Sequence, residues 1–229
     1  MGVKWFYSWL EDDCKNAFKT MDDTTKFNKL FIDANCILYR AVSSVRETKT
    51  ELTKPLVAEV LRYLDLIVKL TNPSDLIFIA FDGPAPLSKQ RSQRQNRIKE
   101  VANKDAFDTI IFTAGTEFMY DLNKRVAEFI KILMRNNDEV WGKAKVILSG
   151  PNVPGEGEHK IADYLRKLNR KDQGNCCIYS NDSDTVILSL NLNRNNIWIM
   201  KEKIYAVSID IFPLNQEKVA SIGHIMILH

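Results

Sequence analysis

Asn152 to Ile161 reads NVPGEGEHKI. Two carboxylates, Glu156 and Glu158, alternate there with two glycines, Gly155 and Gly157, which permit a sharp turn or a close backbone approach. The apolar run Val146-Ile147-Leu148 before it predicts a buried strand. Glu158 to Leu168 after it predicts a helix with Ile161, Leu165 and Leu168 on one face. Both acids therefore fall on a strand-to-helix loop at the carboxyl end of a strand, where open α/β sheets hold their ligands. Read in isolation, the stretch is equally a solvated acidic loop.

The same arrangement recurs on either side. Phe27 to Asp33 (FNKLFID) predicts a strand ending in an acid, followed by a helix from Asn35 to Val45. Pro55 suits a helix start, Leu56, Val60, Leu64 and Ile67 form its apolar face, and Asn72-Pro73 ends it. Leu76 to Phe81 predicts a fully buried strand, stopped by Asp82-Gly83-Pro84. Thr116 caps a long helix with Phe118, Leu122, Val126, Phe129, Ile130 and Leu133 as its core stripe. Lys145 to Leu148 is the third strand; Cys176 to Tyr179 is the fourth, with Asn181-Asp182-Ser183-Asp184 directly behind it. At the two ends, Val3 to Leu10 predicts a short buried helix, and Asn196 to Met200 with Ile204 to Ile209 a last pair of strands. Strands alternating with helices predict an α/β fold, a mostly parallel sheet with helices on both faces, in one domain over residues 1–229.

In such a sheet the strand ends share one edge. Asp33, Asp82, Glu156, Glu158, Asp182 and Asp184 would meet there. Clustered acids repel one another unless cations sit among them, and oxygen-only ligation suits Mg²⁺ or Mn²⁺. Two such ions roughly 3.5–4 Å apart activate water against a phosphodiester. The competing reading makes each acid a helix N-cap, as Asp182 and Asp184 could be for a helix starting near Ser183. Between the second and third strands lies a basic stretch in which Lys89, Gln93 and Arg97 share one helical face, with Arg94 beside them. It reads either as a solvated face or as a grip on phosphate.

Composition excludes other classes. The chain has 229 residues, 45% hydrophobic and 27% charged, with a net charge of +3. That balance suits a globular protein, and the net charge alone does not imply a polyanionic partner. No run of 18 apolar residues predicts a membrane helix. Phe6 breaks the myristoylation pattern at the N-terminus. Cys14, Cys36, Cys176 and Cys177 form no C-x-x-C pair; Cys176 and Cys177, neighbours in an apolar run, predict core thiols, in a reducing, intracellular setting, cytoplasm or nucleus. His224 and His229 read as incidental. Asp182-Ser183-Asp184-Thr185 also fits the D-x-D-x-T pattern of haloacid-dehalogenase-type phosphatases, a reading that leaves Glu156 and Glu158 idle.

VPGEGEHKI, together with LFIDAN, FIAFDGPAP, TAGTEFM, NDSDTVIL and the opening MGVKWFYSWL, resembles the N-terminal conserved region of the Xrn family of 5′→3′ exoribonucleases. More distantly, the acid layout is similar to flap endonucleases and the PIN-like fold. The resemblance implies a Mg²⁺-dependent exonuclease, with Mn²⁺ able to substitute, acting on single-stranded RNA with a 5′ monophosphate. It makes the six acids the metal ligands, and Asn35, Lys89, Gln93, Arg94 and Arg97 substrate contacts. Tyr39 stands where the family has a His that stacks on the first base, and Asn96 where it has an Arg. A final family acid and downstream segments are expected to be lacking, so impaired activity, a protein partner completing the site, or a purely RNA- or protein-binding role are the alternatives.

Overall fold

The computed structural model describes residues 5–19, 25–45, 53–91, 109–169, 171–201 and 225–228. Seven strands form one sheet in the order β1-β7-β6-β5-β2-β3-β4. These are β1 (Phe18–Lys19), β2 (Lys29–Asp33), β3 (Leu76–Ala80), β4 (Lys145–Ser149), β5 (Cys176–Tyr179), β6 (Ile197–Met200) and β7 (Ile225–Leu228). β2 to β6 run parallel to one another, whereas β7 is antiparallel to both β6 and β1. Ile204 to Ile209, expected as the last strand, lies outside the described residues; β7 is the strand found beside β6.

Alternation along each strand sends successive side chains to opposite faces. Leu30, Ile32, Ile77, Ile79, Cys177 and Tyr179 pack on one face against α2 (Ala34–Val45), α3 (Thr53–Thr71) and α4 (Glu117–Arg135). Phe31, Phe78, Ala80 and Ile178 pack on the other against Ile161 and Leu165 of α5 (Gly157–Lys167). Every residue of β2, β3 and β5 is buried, as a sheet covered on both sides requires. The expected α/β architecture with helices on both faces is the one observed.

Helix ends follow local chemistry. The Thr116 hydroxyl accepts the Met119 N–H at the start of α4, a cap that contributes about 1 kcal/mol. Asn72 takes a left-handed φ of 43° behind α3 and Pro73 blocks continuation. Two expectations change. β4 is only half-buried because it closes one edge of the sheet, with β3 as its neighbour. The aromatic N-terminal helix is α1 (Phe6–Asp13), not a buried element: Phe6 and Leu10 pack beside Val186 and Ile199, while Trp5 and Trp9 are exposed.

Candidate active site

Parallel register sets the site. Asp33 pairs with Ala80, Ala80 with Ser149, and Ile32 with Tyr179, so the carboxyl ends of β2 to β5 lie side by side. Asp33, Asp82, Glu156, Glu158 and Asp182, projecting from those four ends, line one cavity of about 660 Å³ together with Asn35, Tyr39 and Lys89. Asp184, expected with them, is not among the lining residues; it opens the short helix α6 (Asp184–Leu190), and its N–H donates to Asp182 Oδ1.

Asp33 is the deepest acid, 3% exposed. Its Oδ2 accepts from Ser180 Oγ at 3.1 Å and from the Cys36 thiol at 3.3 Å, and its Oδ1 from the Asn35 N–H. Thr185 in turn donates to Ser180 Oγ, and the Asn181 N–H to Cys36 Sγ. Burial, then the neighbouring Asp82 charge, pushes the Asp33 carboxyl up to about 7. Asn35 ties the next acid in: its Oδ1 accepts the Asp82 N–H at 3.1 Å. Asp82 Oδ1 accepts the Gly157 N–H at 2.7 Å, which restrains the rise that burial imposes on its pKa.

The loop that carries Glu156 depends on its glycines. Gly155 has φ 105°, open to glycine and strained for other residues. Gly157 is needed for close approach: a Cβ there would lie 2.7 Å from Asp33 Oδ1. Lys160, buried in α5, donates to the carbonyls of Phe81 at 2.7 Å and Gly150 at 3.0 Å, which joins the ends of β3 and β4. Burial pulls its pKa down to about 8.

Glu156 is the N-cap of α5, yet its side chain caps nothing; it accepts from Lys89 Nζ at 3.0 Å. The N-cap reading therefore does not describe this carboxylate. Glu158 faces the other acids: burial, then Asp33, Asp182 and Asp82, raises its pKa to about 8. Carboxylate oxygens of Glu156 and Glu158 and a nitrogen of exposed His159 lie within 4.8 Å of one another.

Asn35 braces two acids here, a role its expected place beside substrate did not include. Ser180, Cys36, Lys160 and His159 were not singled out from the sequence. Ser180 belongs to the fourth strand end, and an -SNDSD- string offers a polar signal without saying which hydroxyl turns inward. Gln93, Arg94 and Arg97 of the basic stretch, with Asn96, lie outside the described residues, as do His224 and His229.

The surroundings suit a hard divalent cation. Five carboxylates outnumber the three cations, Arg40, Lys89 and Lys201, in the cavity lining, burial and mutual repulsion hold Asp33 and Glu158 far above the usual carboxylate range, and a divalent cation offsets that repulsion.

Known proteins share both fold and sequence. The catalytic core of Rad2, solved in complex with DNA substrate, superposes with a TM-score of 0.55 at 18% identity, over 99% of this chain and 55% of that one. That likeness establishes a flap-nuclease-like fold. Among curated proteins, 5′-3′ exoribonuclease 1 of Saccharomyces cerevisiae is 28% identical over 89% of the chain, and 5′-3′ exoribonuclease 2 homolog of Caenorhabditis elegans 30% identical over 78%. The chain spans 15% and 21% of those two proteins' lengths. The family model described as the XRN 5′-3′ exonuclease N-terminus matches residues 1–106 and 98–203, and on that match the chain belongs to this exonuclease family.

Proposed function

We propose that this chain hydrolyses single-stranded RNA from a 5′-monophosphorylated end, one nucleotide at a time, at the acidic cavity. The convergence of five carboxylates from four strand ends on one cavity carries the reading. Asp33, Asp82, Glu156, Glu158 and Asp182 are the proposed ligands of Mg²⁺, or of Mn²⁺ in its place, with Asp184 behind them. A cation held there supplies Lewis acidity, making water a competent nucleophile at neutral pH and offsetting charge on the phosphate oxygens.

The chain's own groups do the rest. Ser180, Cys36 and Asn35 fix the Asp33 carboxylate with neutral donors, and the Gly157 N–H fixes Asp82. Lys89, already inside the cavity, offers a point charge to phosphate. Gln93, Arg94 and Arg97 are proposed to extend that grip along the terminal phosphate and its neighbours. A 5′ hydroxyl forgoes the charge-assisted contact that a phosphate makes there, Lys89 keeping only Glu156, which costs about 1.5–3 kcal/mol, a tenfold to hundredfold loss of affinity.

The test is digestion of matched RNAs carrying a 5′ monophosphate, hydroxyl or triphosphate, by the wild type and by Asp33→Asn. Mononucleotides released from the monophosphate strand alone, and lost in the variant, are expected. Internal fragments would reassign the chain to endonucleolytic cleavage. Tight binding of the monophosphate strand without cleavage in Mg²⁺ or Mn²⁺ would leave it an RNA-binding module.

A further inference from the structure

The end of β6 brings a cation to the acidic cavity that none of the sequence motifs includes. Met200, the last residue of β6, pairs with Tyr179 of β5, and the Ser180 N–H donates to the Met200 carbonyl. Lys201 therefore leaves the sheet at the same edge as Asp182, and the two line the cavity together. Lys201 is half-buried. Burial lowers its pKa, against the charges of Asp182, Glu11 and Cys36. The carboxylates it meets are thus Asp182 and Glu11, not the crowded Asp33 and Glu158, so relief of the strongest repulsion does not account for a lysine there.

Strand order fixes what stands opposite. Along the edge run β6, β5, β2 and β3, which orders the groups as Lys201, Asp182, Asp33 and Asp82. Lys89 stands at the far end: it donates to Glu156, and its charge reaches Asp82 and Glu158. Neighbouring strands lie about 4.8 Å apart, so the ends of β6 and β3 are separated by about 14 Å. The acids lie between two lysines that meet different carboxylates. Two point charges so placed serve different phosphates of one strand. Arg40, the other cation of the lining, donates from Nε to Tyr63 Oη.

We propose that Lys201 is a specificity-determining residue that holds the third phosphate from the 5′ end, the one beyond the link to be cut, an inference that rests on the nuclease reading of the cavity. With the terminal phosphate at Lys89 and the second phosphate over the acids, the third falls on the β6 side. Lys201 then holds the strand on the far side of the acids and does not touch the reacting atoms. A dinucleotide has no third phosphate, so the contact makes a trinucleotide the shortest well-held strand.

Displacement of a 3′-labelled, 5′-monophosphorylated decaadenylate tests this, read by fluorescence anisotropy in Ca²⁺ in place of Mg²⁺. The competitors are 5′-monophosphorylated diadenylate, triadenylate, and a triadenylate whose last link is an uncharged methylphosphonate. Wild type should bind triadenylate about tenfold more tightly than its methylphosphonate form. Lys201→Met should bind triadenylate about tenfold more weakly than wild type, bind diadenylate equally, and not distinguish the methylphosphonate; Lys201→Arg should restore the preference. Equal binding of triadenylate and its methylphosphonate form by wild type overturns the assignment, even if Lys201→Met does not fold. A Lys201→Met loss of the same size on diadenylate and triadenylate overturns it too. Cleavage in Mn²⁺, read in parallel, separates the two readings. A preference lost in Lys201→Met by a chain that cleaves nothing rejects the nuclease and keeps the phosphate contact; cleavage with the preference intact in Lys201→Met does the reverse.

Discussion

Gly157→Ala tests whether the spacing of the GEGE loop exists to let α5 approach Asp33. Helix propensity predicts the opposite sign from the geometry. Alanine at the first residue of a helix should stabilise by up to about 1 kcal/mol over glycine. In this fold the added Cβ would sit 2.7 Å from Asp33 Oδ1 and 3.2 Å from the Ala80 carbonyl oxygen. The carboxylate must then retreat by about 0.7 Å to reach the 3.4 Å of ordinary contact. It cannot do so freely, because Ser180, Cys36 and the Asn35 N–H hold it. Overpacking of a tight site costs about 1–3 kcal/mol, and each kcal/mol lowers the melting temperature of a domain this size by about 2–4 °C. A displacement approaching 1 Å at a reacting centre costs on the order of a hundredfold in rate. Expected, then, are a melting temperature several degrees lower and a rate down about a hundredfold. Gly115→Ala is the control: its φ of 92° strains an alanine too, but no atom beyond its chain neighbours lies within 4 Å and Gly115 does not line the cavity. It should lower stability and spare activity. A Gly157→Ala protein that melts at or above the wild type and retains its rate would refute the account.

Three more outcomes follow from the same contacts. Lys160→Met removes the shared donor from the Phe81 and Gly150 carbonyls, which should cost about 1–3 kcal/mol; an unchanged melting temperature would show that the β3 and β4 ends do not depend on it. Asp33 and Glu158 have pKa values raised to about 7 and about 8 in the folded protein, so their contribution to stability is greatest below their unfolded values near 4 and is lost as pH rises through 7 and 8. Without divalent ions the melting temperature should therefore fall between about pH 4 and pH 8, and Mg²⁺ should flatten that fall; a metal-free protein whose stability climbs across this range contradicts the burial of these acids. Mg²⁺ or Mn²⁺ should raise the melting temperature of the wild type by mass action but not that of the Asp182→Ala/Asp184→Ala protein, and an equal rise in both would move the cation elsewhere.

Asp33, Asp82, Glu156, Glu158 and Asp182 were legible in the sequence because each closes a β-strand pattern or sits in the loop behind one, and a parallel sheet places those loops on one edge; Asp184 lies in the same loop but does not line the cavity. The two glycines were legible as a pair, but their separate duties were not. Gly155 makes a turn, whereas Gly157 yields space to a side chain from β2, a strand far away along the chain. Strand order was the missing quantity. Nothing in the chain order says that β5 lies against β2, and that adjacency alone brings Ser180 to Asp33 across 147 positions. β4 misled for the same reason. Its apolar run matches a buried strand, and only its place at the sheet edge leaves it half-exposed. The N-terminal helix misled because aromatic content signals burial, and Trp5 and Trp9 face outward.

The choice of braces around Asp33 bears on what the cavity can hold. A buried carboxylate can be oriented by an arginine, which also cancels its charge, or by neutral donors, which orient it and leave the charge in place. Asp33 has the second arrangement, with a hydroxyl, a thiol and a backbone N–H on its two oxygens. Asp82 has it too, with the Gly157 N–H on Oδ1. Cations stand nearby without replacing these donors: Lys89 meets buried Glu156, and Lys160 and Lys89 only restrain the rise in the Asp82 pKa. Such an arrangement is costly to the empty protein, as the raised pKa values of Asp33 and Glu158 record. It keeps negative potential concentrated where the strands end, on side chains that cannot swing away from it. A site built only for stability would have gained from an arginine or from apolar replacements. Neutral bracing of repelling acids is the arrangement that leaves a fixed set of oxygens for a cation to fill.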